Sequence, residues 1–171
     1  IEGRTYRLED FGGVYTRLMD HQQHRRVIYK SISGVRSIVQ TLESEDLSRL
    51  YCIRLCPKQL QAFVEGTNVR VHTVGSTLLV TSIYTQATDY RYAHRQGSDA
   101  ELQAIELPGA SAERCLGLAQ TLGLAFAGID LKLTPDHQVY CFEVNPSPAF
   151  SYYETHTGQP IAQAVACYLS G

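Results

Sequence analysis

Two carboxylates and an amide stand close together near the end of this sequence: Asp130 in Ala127-Gly128-Ile129-Asp130-Leu131, then Glu143 and Asn145 in Phe142-Glu143-Val144-Asn145-Pro146. Hard oxygen donors of this kind suit magnesium or manganese, which are typically held by one or two carboxylates and leave positions for water and substrate phosphates. The competing reading is a hairpin whose polar face simply meets water, since carboxylates on exposed strand faces are common.

The elements that must position these groups are two strands and a turn. Residues 125–133 and 139–145 are rich in β-branched and aromatic side chains, and Thr134-Pro135-Asp136-His137 between them is turn chemistry. Side chains alternate along a strand, so Glu143 and Asn145 share a face while Phe142 and Val144 take the other. With a loop of residues 135–138, Thr134 pairs with Val139 and Asp130 falls opposite Glu143. The three oxygen ligands then converge on one surface.

Upstream, the pattern predicts a short helix over 14–23 and a strand over 25–30 leading into the small-residue loop Ser31-Ile32-Ser33-Gly34. A helical turn is expected over 44–50, with Ser44 as N-cap, and a strand over 60–64. Strands 69–74 and 77–85 read as a hairpin turning at Gly75-Ser76. Residues 86–100 read as a polar loop. Residues 111–122 have helical spacing closed by Gly123, and a second helix is expected over 160–169 after a loop. Strands, a helix and strands again indicate an α+β protein.

At 171 residues the chain can bury a substantial core in one domain or two small subdomains. Hydrophobic residues make up 44% and charged residues 19%, an ordinary globular balance. With 15 basic and 17 acidic residues the formal net charge is -2, which argues against general affinity for nucleic acid. No apolar stretch approaches a membrane span, so no membrane partner is expected and a cytoplasmic location is. Cys52, Cys56, Cys115, Cys141 and Cys167 lack the spacing of a disulfide framework or a zinc site and read as reduced, mostly buried thiols.

Taken in order, the motifs from Val27 to the C-terminus resemble the ATP-grasp superfamily, particularly its RimK-like carboxylate-amine ligases and the related enzymes that cross-link microviridin-type peptides. Val27-Ile28-Tyr29-Lys30 and its loop are similar to the family's phosphate-binding element. Gln61-Ala62-Phe63-Val64-Glu65-Gly66 resembles its adenine-binding segment. Asn68-Val69-Arg70 resembles its ribose position followed by an arginine, and Asp89-Tyr90-Arg91 its loop arginine. Gly128-Ile129-Asp130 and Phe142-Glu143-Val144-Asn145-Pro146-Ser147-Pro148 match its metal motif.

The resemblance implies an ATP-grasp fold of two α+β subdomains with antiparallel sheets sandwiching the nucleotide. Residues 1–26 would be a trimmed or linker segment, 27–66 a small subdomain with the phosphate-binding loop, and 67–171 the subdomain with the metal site. It implies ATP and Mg2+ (or Mn2+) as cofactors. Asp130, Glu143 and Asn145 would hold the metal. Lys30, Gln61, Phe63, Val64 and Asn68 would seat the nucleotide, and Arg70 and Arg91 would stabilise phosphate charge. Tyr152, Tyr153 and Glu154 would either border the acceptor site or pack the loop onto the last helix.

The implied activity is ADP-forming ligation of a carboxylate, through an acyl phosphate, to an amine on a small molecule or peptide. Three departures bear on it. Ala62 stands where the family commonly has glutamate, Asn68 stands at a position that is often acidic, and the region before Val27 is too short for the family's N-terminal domain. A non-catalytic nucleotide-binding module, or a subunit completed by a partner domain, is therefore the alternative, and a small-molecule kinase a third.

Overall fold

The structure is a computed structural model and describes residues 14–17, 26–31, 38–54, 58–87 and 99–171. These fall into two compact units, the first holding β1–β4 and the second β5–β9 with α1–α3.

In the first unit, β1 (Val14–Arg17), β2 (Val27–Ser31), β3 (Gln40–Thr41) and β4 (Lys58–Ala62) form a sheet in the order β1-β4-β2-β3. A 3-10 helix, Ser44–Arg54, connects β3 to β4. The helix expected over 14–23 is not formed: Val14–Arg17 is a strand running parallel to β4, with Val14 opposite Lys58. Val-Tyr-Thr favours extended backbone, and the free side of β4 supplies the hydrogen bonds that a helix would otherwise make internally.

The second unit is a five-stranded antiparallel sheet in the order β7-β6-β5-β8-β9. Its strands are β5 (Thr67–Val74), β6 (Thr77–Thr85), β7 (Ala100–Ile105), β8 (Phe126–Leu133) and β9 (Val139–Asn145), with helices α1 (Gly109–Thr121), α2 (Ser151–Thr157) and α3 (Ile161–Ser170). Gly66 lies at φ +140, and a Cβ there would strike the Leu133 carbonyl, so only glycine lets β5 begin this close to the end of β8. The expected polar loop over 86–100 lies mostly outside the described residues, and its last residue, Ala100, begins the edge strand β7, where Glu101 and Gln103 point outward.

Alternation divides this sheet into two different faces. Val69 and Val71 on β5, Val80 on β6 and Ile129 and Leu131 on β8 are buried with Cys115 of α1 and packed by Leu118. Fully burying each such aliphatic side chain stabilises the fold by about 1.5–3 kcal/mol. The other face carries Arg70, His72, Thr81 and Lys132, all buried polar residues. There α2 and the α2–α3 junction lie over the sheet: the Tyr153 ring meets His72 edge-on at 5.0 Å, and Gln159 Nε2 donates to the Val80 carbonyl at 3.0 Å. Of the described cysteines only Cys115 is buried, which corrects the expectation of mostly buried thiols.

The sequence predicts a loop where the α2 helix forms. Its sequence, Ser-Tyr-Tyr-Glu-Thr-His-Thr, has weak intrinsic helix propensity. Burial of Tyr153 and the left-handed Gly158 that ends it, at φ 71, hold the helix in place of propensity.

Candidate metal and phosphate site

The β8–β9 turn differs from its expected form by one residue. Leu133, not Thr134, pairs with Val139, so the loop spans 134–138 and His137 takes a left-handed conformation at φ 62. Thr134 Oγ1 accepts the Gln138 N–H at 2.9 Å and donates to Asp136 Oδ1, which closes the turn from inside. A one-residue slip would send Glu143 to the wrong face. The register shift between Asp130 and Leu131 cancels it: Leu131 pairs with Cys141, Phe142 is bulged out, and Asp130 faces Glu143. The expected pairing of the two carboxylates is thus present, reached through a bulge.

Three strands bring the charged groups into one row, with Arg70 on β5 opposite Asp130 on β8 and Asp130 opposite Glu143 on β9. Two pairs further along, His72, Gly128 and Asn145 form a second row on the same face. Arg70 Nη1 donates to Asp130 Oδ1 at 2.6 Å. The arginine is almost covered, while the Asp130 side chain keeps 33% of its exposure. Asn145 Oδ1 accepts the Ser147 N–H at 2.9 Å, fixing the amide oxygen at the start of the Pro146-Ser147-Pro148 loop.

Arg70 is held from several sides. Its guanidinium carbon lies 5.4 Å from the centre of the Tyr153 ring, within cation-π range. It also passes over Gly128, where a Cβ would approach within 3.1 Å of Arg70 Cζ and 2.6 Å of Pro148 Cβ. Glycine at 128 is therefore a condition for the guanidinium to sit where it meets Asp130.

Behind this arrangement His72 is fully buried. Burial, with a smaller contribution from the Arg70 cation, lowers its pKa to about 4 against the opposing pull of the Ala149 carbonyl. It is a neutral ring at physiological pH. Burial likewise lowers the pKa of Lys132, whose Nζ donates to Asn68 Oδ1 at 3.1 Å.

The remaining expected residues stand as follows. Lys30 is half-buried on β2 opposite Gln59, and Gln61 on β4 is opposite Ile28. Phe63 follows β4; its N–H donates to the Arg26 carbonyl at 2.9 Å, and the Arg26 guanidinium lies 4.3 Å from its ring centre. Val64 is buried in the second unit. Arg91 lies outside the described residues. Tyr153 is buried, and Glu154 Oε1 accepts the Ala162 N–H at 3.0 Å, capping α3, so both make packing contacts.

Sequence reading assigns no role to His72 and Lys132, and Gly128 enters it only as a member of the metal motif. Strand alternation from Asp130 and Arg70 puts all three on the site face, and that signal finds them. Among the described residues no three His, Cys, Asp or Glu side chains form a metal-type cluster. The candidate set has two carboxylates and completes itself with an amide, a hard-oxygen combination suited to a cation that also takes phosphate and water ligands.

A family model described as the RimK-like ATP-grasp domain matches residues 22–169. A protein of Rhodopirellula baltica named "Probable alpha-L-glutamate ligase" is 28% identical over 167 residues, covering 95% of this chain and 39% of that protein. One of the same name from Trichodesmium erythraeum is 29% identical over 113 residues, covering 64% of this chain and 37% of that protein. Among solved structures, the macrocyclase MdnC of Microcystis aeruginosa bound with precursor peptide MdnA superposes with a TM-score of 0.71 at 26% identity, covering 85% of this chain and 48% of that one. The ATP-grasp ligase PsnB, complexed with a phosphomimetic variant of a minimal precursor, Mg and ADP, gives 0.73 at 23% identity, covering 88% and 48%, a likeness of fold. The chain spans about two fifths of the length of the curated relatives and about half of the solved chains.

Proposed function

The chain belongs to the RimK-like ATP-grasp family, and on that premise we propose that it is the ATP-binding part of a magnesium-dependent, ADP-forming carboxylate-amine ligase. The single observation that carries the reading is the row Arg70, Asp130 and Glu143 across three strands, with Asn145 two pairs away on the same face.

In this reading Asp130, Glu143 and Asn145 hold magnesium, which when bound lowers the charge on the phosphates during transfer. A carboxylate oxygen of the substrate attacks the γ-phosphorus, the bond to the bridging oxygen breaks and ADP leaves. The amine then attacks the acyl carbon, inorganic phosphate leaves and the amine proton passes to solvent. Little covalent work falls to the protein, whose task is to fix charges in advance. Arg70 holds one oxygen of Asp130 and adds positive charge beside the transferring group. Lys30 and Arg91 add further positive charge, and Gln61, Phe63, Val64 and Asn68 seat the nucleoside.

The macrocyclase MdnC, solved with its precursor peptide bound, supports a peptide as the carrier of the carboxylate, the amine or both. Because the chain spans under half the length of its relatives, a second reading stands beside the first: a nucleotide-binding module that works with a partner domain.

Calorimetry with Mg·ATP, followed by an ADP-release assay with mixed carboxylates and amines and hydroxylamine trapping of any acyl phosphate, separates the two. The ligase reading expects trapped hydroxamate and its loss in Glu143→Ala. Binding without turnover in any mixture favours the module, and full magnesium-dependent turnover by the Glu143→Ala variant removes the metal assignment.

A further inference from the structure

We infer that Lys132 sets the direction of the hydrogen bond that Asn68 offers to the sugar of the bound nucleotide, making Asn68 a donor to a ribose oxygen and Lys132 a specificity-determining residue. The inference rests on the ATP-site reading above and deepens it.

Asn68 and Lys132 are directly opposed on β5 and β8, one alternate position along from the Arg70–Asp130 pair and on the same face. Lys132 is 9% exposed, and its ammonium reaches Asn68 Oδ1 at 3.1 Å. An ammonium group has donors and no acceptor, so it admits only the amide oxygen. The Asn68 NH2 group is consequently turned away from Lys132. Elsewhere a side-chain amide can swap its oxygen and nitrogen to suit a ligand; here the buried cation opposes the swap.

The placement agrees with a sugar contact. Alternate residues along a strand are about 7 Å apart, comparable to the span from the sugar hydroxyls to the phosphates of one nucleotide. With Arg70 and Asp130 at the phosphates, Asn68 falls at the sugar. A carboxylate at this position would accept hydrogen bonds from the sugar hydroxyls. Asn68, with its oxygen held by Lys132, donates instead, and the ligand must present a hydroxyl oxygen as acceptor. The departure at position 68 and the lysine opposite it are thus two halves of one device.

The test is calorimetry of the 171-residue chain with Mg·ATP, Mg·2'-deoxy-ATP and Mg·3'-deoxy-ATP. The native chain should bind ATP about tenfold more tightly than the weaker-binding deoxy analogue, the size of one hydrogen bond. Lys132→Met and Lys132→Gln, which leave the amide free to turn, should lower that ratio, because an amide no longer held in one orientation keeps its bond to the hydroxyl for only part of the time. Lys132→Arg, also donor-only, should keep it.

Equal binding of all three nucleotides by the native chain overturns the inference. So does a ratio that survives undiminished in the Met and Gln variants, or a loss that is uniform across the nucleotides, which is what a merely structural Lys132 would give. Absence of any Mg·ATP or Mg·ADP binding by the native chain overturns the ATP-site reading itself, and is distinguishable because no variant need be compared.

Discussion

Arg70 and Asp130 face one another across β5 and β8 with the guanidinium 2.6 Å from the carboxylate, and the two differ sharply in exposure, the arginine nearly covered and the aspartate one-third open. The pair is built to hold an acidic group still at a surface. The cation, unable to move, fixes one oxygen while the open side of the carboxylate looks outward.

Asp130→Asn should separate charge from shape. The amide can still accept from Arg70, but the buried guanidinium loses its counter-charge, and unfolding in urea should show a loss of about 2 kcal/mol. On the proposed ligase reading, metal-supported ATP turnover should fall much further than stability does. A variant as stable as the native chain would mean that Arg70 is balanced by other groups.

Gly128→Ala tests how Arg70 is placed without touching any charged group. The new methyl would meet Pro148 Cβ at 2.6 Å and Arg70 Cζ at 3.1 Å, so the guanidinium or the Pro148 loop must move. Overpacking of this kind costs about 1–3 kcal/mol. Thermal unfolding should register it, together with weaker Mg·ATP binding measured by calorimetry. An unchanged melting temperature would show that the loop yields without resistance.

How far the sequence reveals this site depends on the range over which its causes act. The pairing of Asp130 with Glu143 is legible because alternation acts within a strand and the turn chemistry acts within a few residues. Even so, the turn is one residue longer than its sequence suggests, and the bulge at Phe142 that repairs the register carries no local signal. His72 and Lys132 are visible as members of the site face, but the cover over His72 is Tyr153 of α2, far away in sequence. The α2 helix itself is illegible, because burial of Tyr153 stabilises it where propensity does not.

The buried His72 gives stability a pH dependence with a definite sign. Its folded pKa of about 4 lies below its ordinary value of 6.5, so between these limits the unfolded chain binds more protons than the folded one. Its contribution is complete above pH 6.5, is lost as pH falls toward 4, and levels off below that. Arg70, the cation facing it, stays charged throughout and leaves the direction unchanged. The slope should approach 1.4 kcal/mol per pH unit in the middle of that range. Urea titrations of His72→Phe across the same interval should show a shallower dependence; parallel curves would assign the slope to other groups.

Two side chains outside the charged rows hold the cover over them. Gln159 accepts from Thr81 Oγ1 at 2.8 Å and donates to the Val80 carbonyl at 3.0 Å, tying the α2–α3 junction to β6, while Glu154 caps α3 through the Ala162 N–H. Gln159→Ala leaves a buried hydroxyl and a carbonyl short of partners and should cost about 1–3 kcal/mol. Glu154→Ala removes only the cap and should cost about 1 kcal/mol. Because Tyr153 reaches Arg70 from the same helix, loosening the junction should also speed hydrogen exchange at the amides of α2 before it affects β5 and β8. Exchange that rises equally across all three elements would instead mean that the cover and the sheet unfold as one unit.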